Sequence, residues 1–194
     1  MNVKPVVLEG RHVRLEPLSL DHLDGLAEFG LDERLWQWTP HQCRTRNELQ
    51  DYIEQALALQ TSGSALPFAT IEKTFGKPIG STRFGSIDVE NRRAEIGWTW
   101  IAPSWQRTVV NTEAKYLMFT HAFENWRCTR VELKTDALNE QSRKAILRIG
   151  ATEEGTLRKH VLTYTGRFRD TVYYSILDTE WPPVRKKLEA RLEQ

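Results

Sequence analysis

The segment Ala94–Trp126 constrains the fold of this chain more than any other stretch of its sequence. Its first eight residues, 94–101, alternate apolar or aromatic side chains with polar or small ones, which predicts a β-strand. Pro103 stops the strand, and a polar loop over residues 104–110 follows. A long helix then completes the segment. This order brings a helix N-terminus and several free backbone N–H groups to one point, which is typical of an anion site.

The pattern inside this segment also predicts how its side chains are arranged. One face of the strand is expected to carry Ala94, Ile96, Trp98 and Trp100. Asn111 is a favourable N-cap for the helix. From Ala114 onward, apolar residues recur at i, i+3, i+4 and i+7, so one face of the helix is expected to pack on the sheet. His121 lies on that face and is interpreted as a buried core residue.

The rest of the chain predicts a mixed sheet covered by helices. The predicted elements are a hairpin (6–17), a helix (45–59), three meander strands (66–72, 78–89 and 94–101), a strand (130–134), a helix from 139 and a long hairpin (152–178). Thr45 and Glu48 form a capping box for the first long helix. A surface helix is expected after Pro182. The sequence therefore predicts an α/β (α+β) fold in one domain, residues 1–194, with a mostly antiparallel sheet flanked by helices.

Charge and cysteine content exclude several classes of function. The chain has 27 Lys and Arg against 26 Asp and Glu, so its net charge of +1 gives no electrostatic case for binding nucleic acid or a membrane. Cys43 and Cys128 are the only cysteines, and neither has a partner at zinc-like spacing. No apolar run approaches the length of a membrane span or a secretory segment. We therefore expect a cytoplasmic protein with reduced thiols and no bound metal.

Three groups of residues are candidates for chemistry. The loop Gln106–Asn111 can offer consecutive N–H groups to phosphate oxygens. Asn139 follows a strand and Ser142 lies in the next helical turn, where they can either contact an extended amide ligand or cap the helix. Near the N-terminus, an aromatic cluster predicts either a substrate wall or a loop held by aromatic packing; it consists of Trp36, Trp38 and His41.

In the order of these elements and in three sequence motifs, the chain resembles the GNAT superfamily of acetyl-coenzyme A-dependent N-acetyltransferases, and within it the RimJ/RimL branch. The motifs are AEIGWTWIAPSWQRTVVNTEAKYLM, RVELKTDALNEQSRKAILRIGATEEGTLRKH and RDTVYYSILDTEW. The resemblance covers nearly the whole chain, from Gly10 to Leu177. It implies a sheet that splays between the fourth and fifth strands of the family, which are here the strands at 94–101 and 130–134.

The resemblance also implies which residues bind acetyl-CoA. The pantetheine arm is expected to pair with the backbone of Trp100 and Ile101 and to contact Asn139. The pyrophosphate is expected at the start of the helix, on Gln106, Arg107, Thr108, Val109, Val110, Asn111 and Thr112. The family pattern is Gln/Arg-x-x-Gly-x-Gly/Ala, and Val109 stands where its key glycine is expected. A valine side chain there is expected to crowd the pyrophosphate.

The implied reaction is the direct attack of a primary amine on a thioester. Glu95 is the candidate base, acting through water, although a surface or salt-bridged glutamate is the alternative interpretation. Ser142 matches the position whose hydroxyl protonates the departing thiolate, and a strand N–H is the expected oxyanion donor. Glu132 and Glu154 are secondary candidates for the base. The acceptor implied is a protein N-terminus or a small amine.

Two other functions are compatible with the same residues. Val109 favours a GNAT-like CoA-binding module that no longer catalyses. The basic pairs Arg143-Lys144 and Arg158-Lys159, with the Trp residues, are typical of a nucleic-acid binder, but the balanced charge disfavours that function. The sequence is equally compatible with a monomer and a homodimer.

Overall fold

The computed structural model describes residues 1–193, which build one eight-stranded sheet in the order β1-β2-β3-β4-β5-β6-β8-β7. The strands are β1 (Leu8–Glu9), β2 (Val13–Pro17), β3 (Leu66–Glu72), β4 (Lys77–Asp88), β5 (Arg93–Ile101), β6 (Arg130–Asp136), β7 (Thr152–Leu162) and β8 (Phe168–Leu177). The helices are α1 (Leu23–Gly30), α2 (Arg46–Thr61), α3 (Val109–Thr120), α4 (Glu140–Arg148) and α5 (Trp181–Leu192). Short 3-10 turns lie at Leu20–His22, Glu33–Leu35 and Pro103–Trp105, and a π-helical turn at His121–Asn125 follows α3.

The strands β5 and β6 form the parallel pair of this sheet and separate along their length. They pair through Arg93 with Arg130, Ala94 with Val131, and Glu95 with Glu132. Beyond Glu95, β5 continues to Ile101 without pairing with β6, while its other edge stays paired with β4. All other neighbouring strands are antiparallel. The predicted mixed, mostly antiparallel and splayed sheet is therefore confirmed.

Each face of the sheet is covered by its own set of helices. On one face, α3, α4 and α5 enclose the larger core, in which Met118, Phe119 and Leu188 are completely buried. On the other face, α1 and α2 enclose a smaller core around Leu49 and Ile53. Burial of these apolar faces is the main stabilising term, at about 25 cal/mol per Å² of apolar surface. None of the helices in residues 1–193 combines the length and the apolarity required of a membrane span.

The strand β5 contains an irregularity that the alternation of its sequence did not predict. Ser81 of β4 pairs with Trp100, but Arg83 pairs with Gly97, so β5 contains one more residue than β4 over this stretch. The extra residue bulges, and Trp98 adopts a left-handed φ of 50°. The faces therefore exchange beyond this point. Trp100 packs in the smaller core whereas Ile96 packs in the larger one, and the predicted common face of Ala94, Ile96, Trp98 and Trp100 is wrong.

The boundaries of the helices confirm some of the predicted caps and correct others. The Thr45–Glu48 capping box is formed, with Thr45 Oγ1 accepting from the Glu48 N–H at 3.2 Å. The helix α3 begins two residues before Asn111, and Thr108 is its N-cap, so the prediction of Asn111 as the cap is wrong. The Thr108 hydroxyl takes that role because it accepts the N–H of Val110 at 3.3 Å.

The last helix packs more deeply than the expected surface helix. Its side chains Trp181, Val184 and Leu188 are buried in the larger core. The indole of Trp181 stacks on Phe123 with a centroid distance of 5.3 Å. The helix α5 is therefore part of the layer that supports α3 from behind.

Candidate active site

The gap between β5 and β6 opens directly onto the N-terminus of α3. Because β5 lacks a partner on this side beyond Glu95, its backbone groups there are free to bind an extended ligand. Trp98 and Thr99 are exposed at this part of the strand. The first N–H groups of α3 have no partners within the helix and carry the positive end of its dipole. The loop and helix start predicted from the sequence as an anion site are thus next to a free strand edge.

The strained position of the loop is Arg107, and Val109 is in the ordinary right-handed region. Arg107 has a φ of 62°, whereas Val109 is not among the residues with positive φ and forms the first residue of α3. The N–H of Val109 is available to an anion because the first N–H groups of a helix are unpaired. The backbone at position 109 therefore does not require glycine, and any crowding there comes from the half-buried side chain alone.

The start of α4 lies beside the loop that precedes α3. The Gln141 side chain donates from Nε2 to Oε1 of Gln106 at 3.4 Å, and Gln106 donates in turn to the Ile101 carbonyl at 3.1 Å. Asn139 caps α4 by accepting the Ser142 N–H at 3.0 Å. Ser142 is half-buried. The capping function considered for Asn139 is confirmed, and the structure brings both predicted groups of ligand-binding residues to one end of the gap.

The carboxylate of Glu95 is buried at the point where β5 and β6 part. Only 4% of the residue is exposed. Its Oε2 lies 2.7 Å from Lys134 Nζ of β6, and it also accepts from the Ser86 hydroxyl at 3.2 Å. Burial is the largest single effect on Lys134 and disfavours its charge, but the Coulombic attraction and hydrogen bond of Glu95, together with those of Tyr173, raise the pKa of the ammonium group. Glu95 is therefore a buried, ion-paired carboxylate and not a surface one.

The two secondary candidates for the base are both engaged in ion pairs with Arg130. Glu132 accepts from Arg130 Nε at 2.8 Å. Arg130 also hydrogen-bonds both carboxylate oxygens of Glu154 and lowers the pKa of that group to about 2. A carboxylate with so low a pKa is a weak proton acceptor. Both residues fit a structural ion-pair network better than catalysis.

The predicted aromatic cluster divides between the smaller core and the loop that follows it. Trp36 is 2% exposed and donates its indole N–H to the Gly30 carbonyl at 2.8 Å, so it is a packing residue of the smaller core. Trp38 is half-buried and His41 exposed on the loop that follows. This loop crosses to the β7–β8 hairpin, since the Trp38 carbonyl accepts from Arg169 at 3.3 Å. Trp38 and His41 are thus placed where they can border a substrate.

A family model that matches most of the chain shows which family the protein belongs to. The model described as Acetyltransferase (GNAT) domain matches residues 12–152 of the chain. The chain belongs to the GNAT acetyltransferase family. Together with the names of its relatives, this membership makes it an N-acetyltransferase.

Similar proteins of this GNAT family span nearly the whole chain. The chain is 39% identical over 179 residues to a Bacillus subtilis (strain 168) protein named as ribosomal N-acetyltransferase YdaF, which covers 88% of this chain and 93% of that protein. A GCN5-related N-acetyltransferase from Brucella melitensis superposes with a TM-score of 0.90 at 33% identity, over 97% of this chain and 86% of the other. RimJ of Mycobacterium smegmatis, solved with CoA-disulfide, has a TM-score of 0.81 at 23% identity, over 96% and 92% of the two chains, a likeness in fold alone.

The GNAT site also contains residues that the sequence did not single out. Lys115 of α3 is buried beneath β5, with Nζ 2.7 Å from the Thr99 hydroxyl and 3.3 Å from that of Thr82. Burial lowers the pKa of Lys115 to about 7. Arg83 of β4 is buried on the opposite face beside Trp98. A charged residue inside the otherwise buried run of β4 was the available signal for Arg83; Lys115 has no such signal, because it lies outside the predicted apolar stripe.

Proposed function

We propose that the chain, acting as one domain over residues 1–194, transfers the acetyl group of acetyl-CoA to a primary amine. The observation that carries this proposal is the unpaired edge of β5 that opens onto the N-terminus of α3. An extended, amide-containing arm that ends in a pyrophosphate needs a free strand edge beside an anion site. Acetyl-CoA use is a property of the GNAT family, and the RimJ relative was solved with CoA-disulfide.

In this proposal, two groups of residues bind two different parts of acetyl-CoA. The backbone of Trp100 and Ile101 pairs with the pantetheine arm, and Asn139 contacts it from α4. The N–H groups of α3 and the loop before it receive the pyrophosphate, on Gln106, Arg107, Thr108, Val109, Val110, Asn111 and Thr112. Arg107 adds a cation, and the helix N-terminus contributes about 0.3–1 kcal/mol toward binding an anion.

The chemistry requires a neutral amine, a donor for the oxyanion and a proton for the leaving thiolate. The amine nitrogen attacks the thioester carbonyl carbon, and a β5 backbone N–H stabilises the negative oxygen that forms. Glu95 accepts, through water, the proton that the nitrogen loses. When the C–S bond breaks, Ser142 donates its hydroxyl proton to the CoA thiolate and takes a proton back from water, while Glu95 releases its proton to water. The products are the acetylated amine and CoA.

The acceptor is a protein N-terminus or a small amine, and it approaches from the face of the sheet that carries α1 and α2. That face contains Glu95, and the loop with Trp38 and His41 borders it. Trp36 supports this wall from within the smaller core. The likeness to YdaF, named for ribosomal N-acetyl transfer, favours a protein N-terminus and a cytoplasmic reaction.

Two measurements test the proposal. Acetyl-CoA at about 100 times its Kd is expected to stabilise the protein by about 2.7 kcal/mol, seen as a rise in Tm. Thiol release is then measured with a panel of peptides and small amines. Ser142→Ala and Glu95→Gln are each expected to lower kcat about 10²-fold, whereas the exposed control Ser62→Ala leaves it unchanged. The absence of any Tm rise at millimolar acetyl-CoA would contradict the proposal, and a Tm rise without thiol release would identify a CoA-binding module.

A further inference from the structure

Arg83 is a buried cation with no carboxylate partner. The residue lies in the middle of β4 and is 3% exposed. Its guanidinium forms no ion pair with any acidic residue in the part of the chain that the structure describes, 1–193, and its Nε is buried without a hydrogen-bond partner. An unpaired charge in the interior costs several kcal/mol. A fold that retains such a group at its active site indicates that a ligand completes it.

Two aromatic rings pack against the Arg83 guanidinium. Its central carbon is 4.9 Å from the centroid of Tyr52 and 5.2 Å from that of Trp98. The Tyr52 hydroxyl donates to the Trp98 carbonyl at 3.2 Å, which ties both rings together. Gly85 makes room for the second ring, since a Cβ there would lie 2.3 Å from Trp98. The guanidinium N–H groups donate to no acceptor among residues 1–193, so they are left for another partner.

The register of the sheet places Arg83 beside the proposed reacting centre. Arg83 pairs with Gly97 of β5, and Gly85 pairs with Glu95, so Arg83 and Glu95 lie on the same face two positions apart. This is the face from which the acceptor approaches in the proposed function. The bulge at Trp98, where β5 is exposed, lies next to both.

The charges around this face leave a cationic surplus. Glu95 is paired with Lys134, and Asp136 with Arg167. Arg169 is 9% exposed and, among residues 1–193, has no ion-pair partner; it donates to the Trp38 carbonyl and the Thr171 hydroxyl. Arg83 and Arg169 therefore remain beside the gap as two cations without an ion-pair partner within the described part of the chain.

We propose that the acceptor amine carries a carboxylate in the same molecule, and that Arg83 binds this carboxylate through the free edge of its guanidinium. This inference rests on the proposed acetyl transfer and specifies its acceptor. A guanidinium edge matches a carboxylate in plane and can bind it through two parallel hydrogen bonds. The remaining surplus disfavours an ammonium ion nearby, so it also favours the neutral amine that attacks the thioester. The carboxylate is either that of an amino acid or that of a Glu side chain next to a peptide N-terminus.

Matched acceptors test the inference and separate these two sources. One pair is free alanine and alaninamide; the other is the amidated peptides Ala-Glu-Ala-Ala and Ala-Gln-Ala-Ala. In thiol-release assays with acetyl-CoA, the protein is expected to favour the anionic member of at least one pair by about tenfold or more in kcat/KM, which corresponds to about 1.4 kcal/mol. Arg83→Met is expected to bring that ratio close to 1, and Arg83→Lys to retain part of it. The half-buried control Arg14→Met, on β2, is expected to keep the ratio of the unmodified protein.

A binding measurement keeps the inference independent of turnover. The N-acetylated forms of both acceptor pairs are titrated calorimetrically into the protein with CoA, and the anionic form of at least one pair is expected to bind about tenfold more tightly, an advantage lost in Arg83→Met. Retention of the acetyl-CoA-induced Tm rise shows that the variant is folded. Equal binding of the two forms in both pairs, or a preference that persists in Arg83→Met, would overturn the inference. Selective binding without any thiol release would contradict the proposed catalysis and leave the inference standing.

Discussion

Lys134 on β6 and Glu95 on β5 form an ion pair, with Nζ 2.7 Å from Oε2, at the point where the two strands part. The pair bridges strands that share only three residue pairings, so it holds the mouth of the gap at a fixed width. It also places a cation against the candidate base. A proton taken up by Glu95 from the acceptor must therefore pass on to water or break this ion pair.

Replacing one partner of this ion pair is expected to lower the free energy of unfolding more than replacing both. Lys134→Met leaves the 4%-exposed Glu95 carboxylate uncompensated, so we expect a loss of about 2–4 kcal/mol in the free energy of unfolding. The double variant Glu95→Gln/Lys134→Met should recover much of that loss, because neither position then carries a charge that has lost its partner. Urea denaturation of the two single variants and the double variant measures the coupling energy.

The exposed i,i+4 pair of Lys144 and Glu140 provides the control for this cycle. Its side chains are 78% and 76% exposed, so its coupling energy should stay below about 0.5 kcal/mol. Equal coupling energies in the two cycles would show that the pair at the gap is no more than a surface ion pair.

Val109→Gly tests whether the departure from the family pattern weakens acetyl-CoA binding. Since the φ of Val109 is not positive, glycine relieves no backbone strain there and should cost about 0.5–1 kcal/mol of stability at the first turn of α3. The Kd for acetyl-CoA, measured calorimetrically, should change less than about threefold, with Val109→Ala as the control for side-chain size. A tenfold tighter Kd in both variants would show that the valine side chain crowds the pyrophosphate.

Local patterns in the sequence predicted the elements well, because caps, turns and hydrophobic periods act over a few residues. The Thr45–Glu48 box is an example. The bulge at Trp98 escaped prediction, because one inserted residue leaves no mark on an alternating pattern. Likewise, nothing local indicates that Glu113 of α3 accepts the N–H groups of residues 11–13 at 2.7–2.8 Å, since these contacts span about a hundred positions.

The same limit applies to the site itself. The order of elements and the family resemblance predict Asn139, Ser142 and the loop before α3 as ligand-binding residues. The structure brings the start of α4 and this loop together through Gln106 and Gln141. The sequence could not show that Glu95 is ion-paired or that Arg83 is not, because both depend on the register of β4, β5 and β6. Partners across a sheet are set by tertiary packing.

Lys115→Met is expected to stabilise the protein, most strongly at neutral and lower pH. Burial lowers the pKa of Lys115 from 10.5 to about 7. Between pH 7 and pH 10.5 the amine is therefore protonated in the unfolded state but largely neutral in the folded state. The stability of the unmodified protein therefore rises with pH over that window. Methionine removes this pH dependence. We expect Lys115→Met to raise the free energy of unfolding by about 2–4 kcal/mol at pH 7, and this gain to shrink by roughly 1 kcal/mol per pH unit up to pH 10.

Urea denaturation at pH 7, 8.5 and 10 measures this difference, with the 78%-exposed Lys144→Met as the matched control that should change stability by less than about 0.5 kcal/mol. A loss of stability in Lys115→Met at pH 7 would mean that the hydrogen bonds to Thr99 and Thr82 outweigh the cost of burying the amine.

Gly85→Ala tests whether the Trp98 ring has to lie across β4 to hold the Arg83 guanidinium. An alanine Cβ would come within 2.3 Å of the ring, so the ring must move, and we expect a loss of about 1–3 kcal/mol in the free energy of unfolding. Trp98→Ala alone should lower the free energy of unfolding by less than Trp→Ala at a fully buried position, since 39% of Trp98 is exposed. In the double variant the clash is absent, so the two losses should not add. Urea denaturation gives the coupling energy, which we expect to be at least about 1 kcal/mol, whereas additive losses would mean that the ring has room to shift without strain.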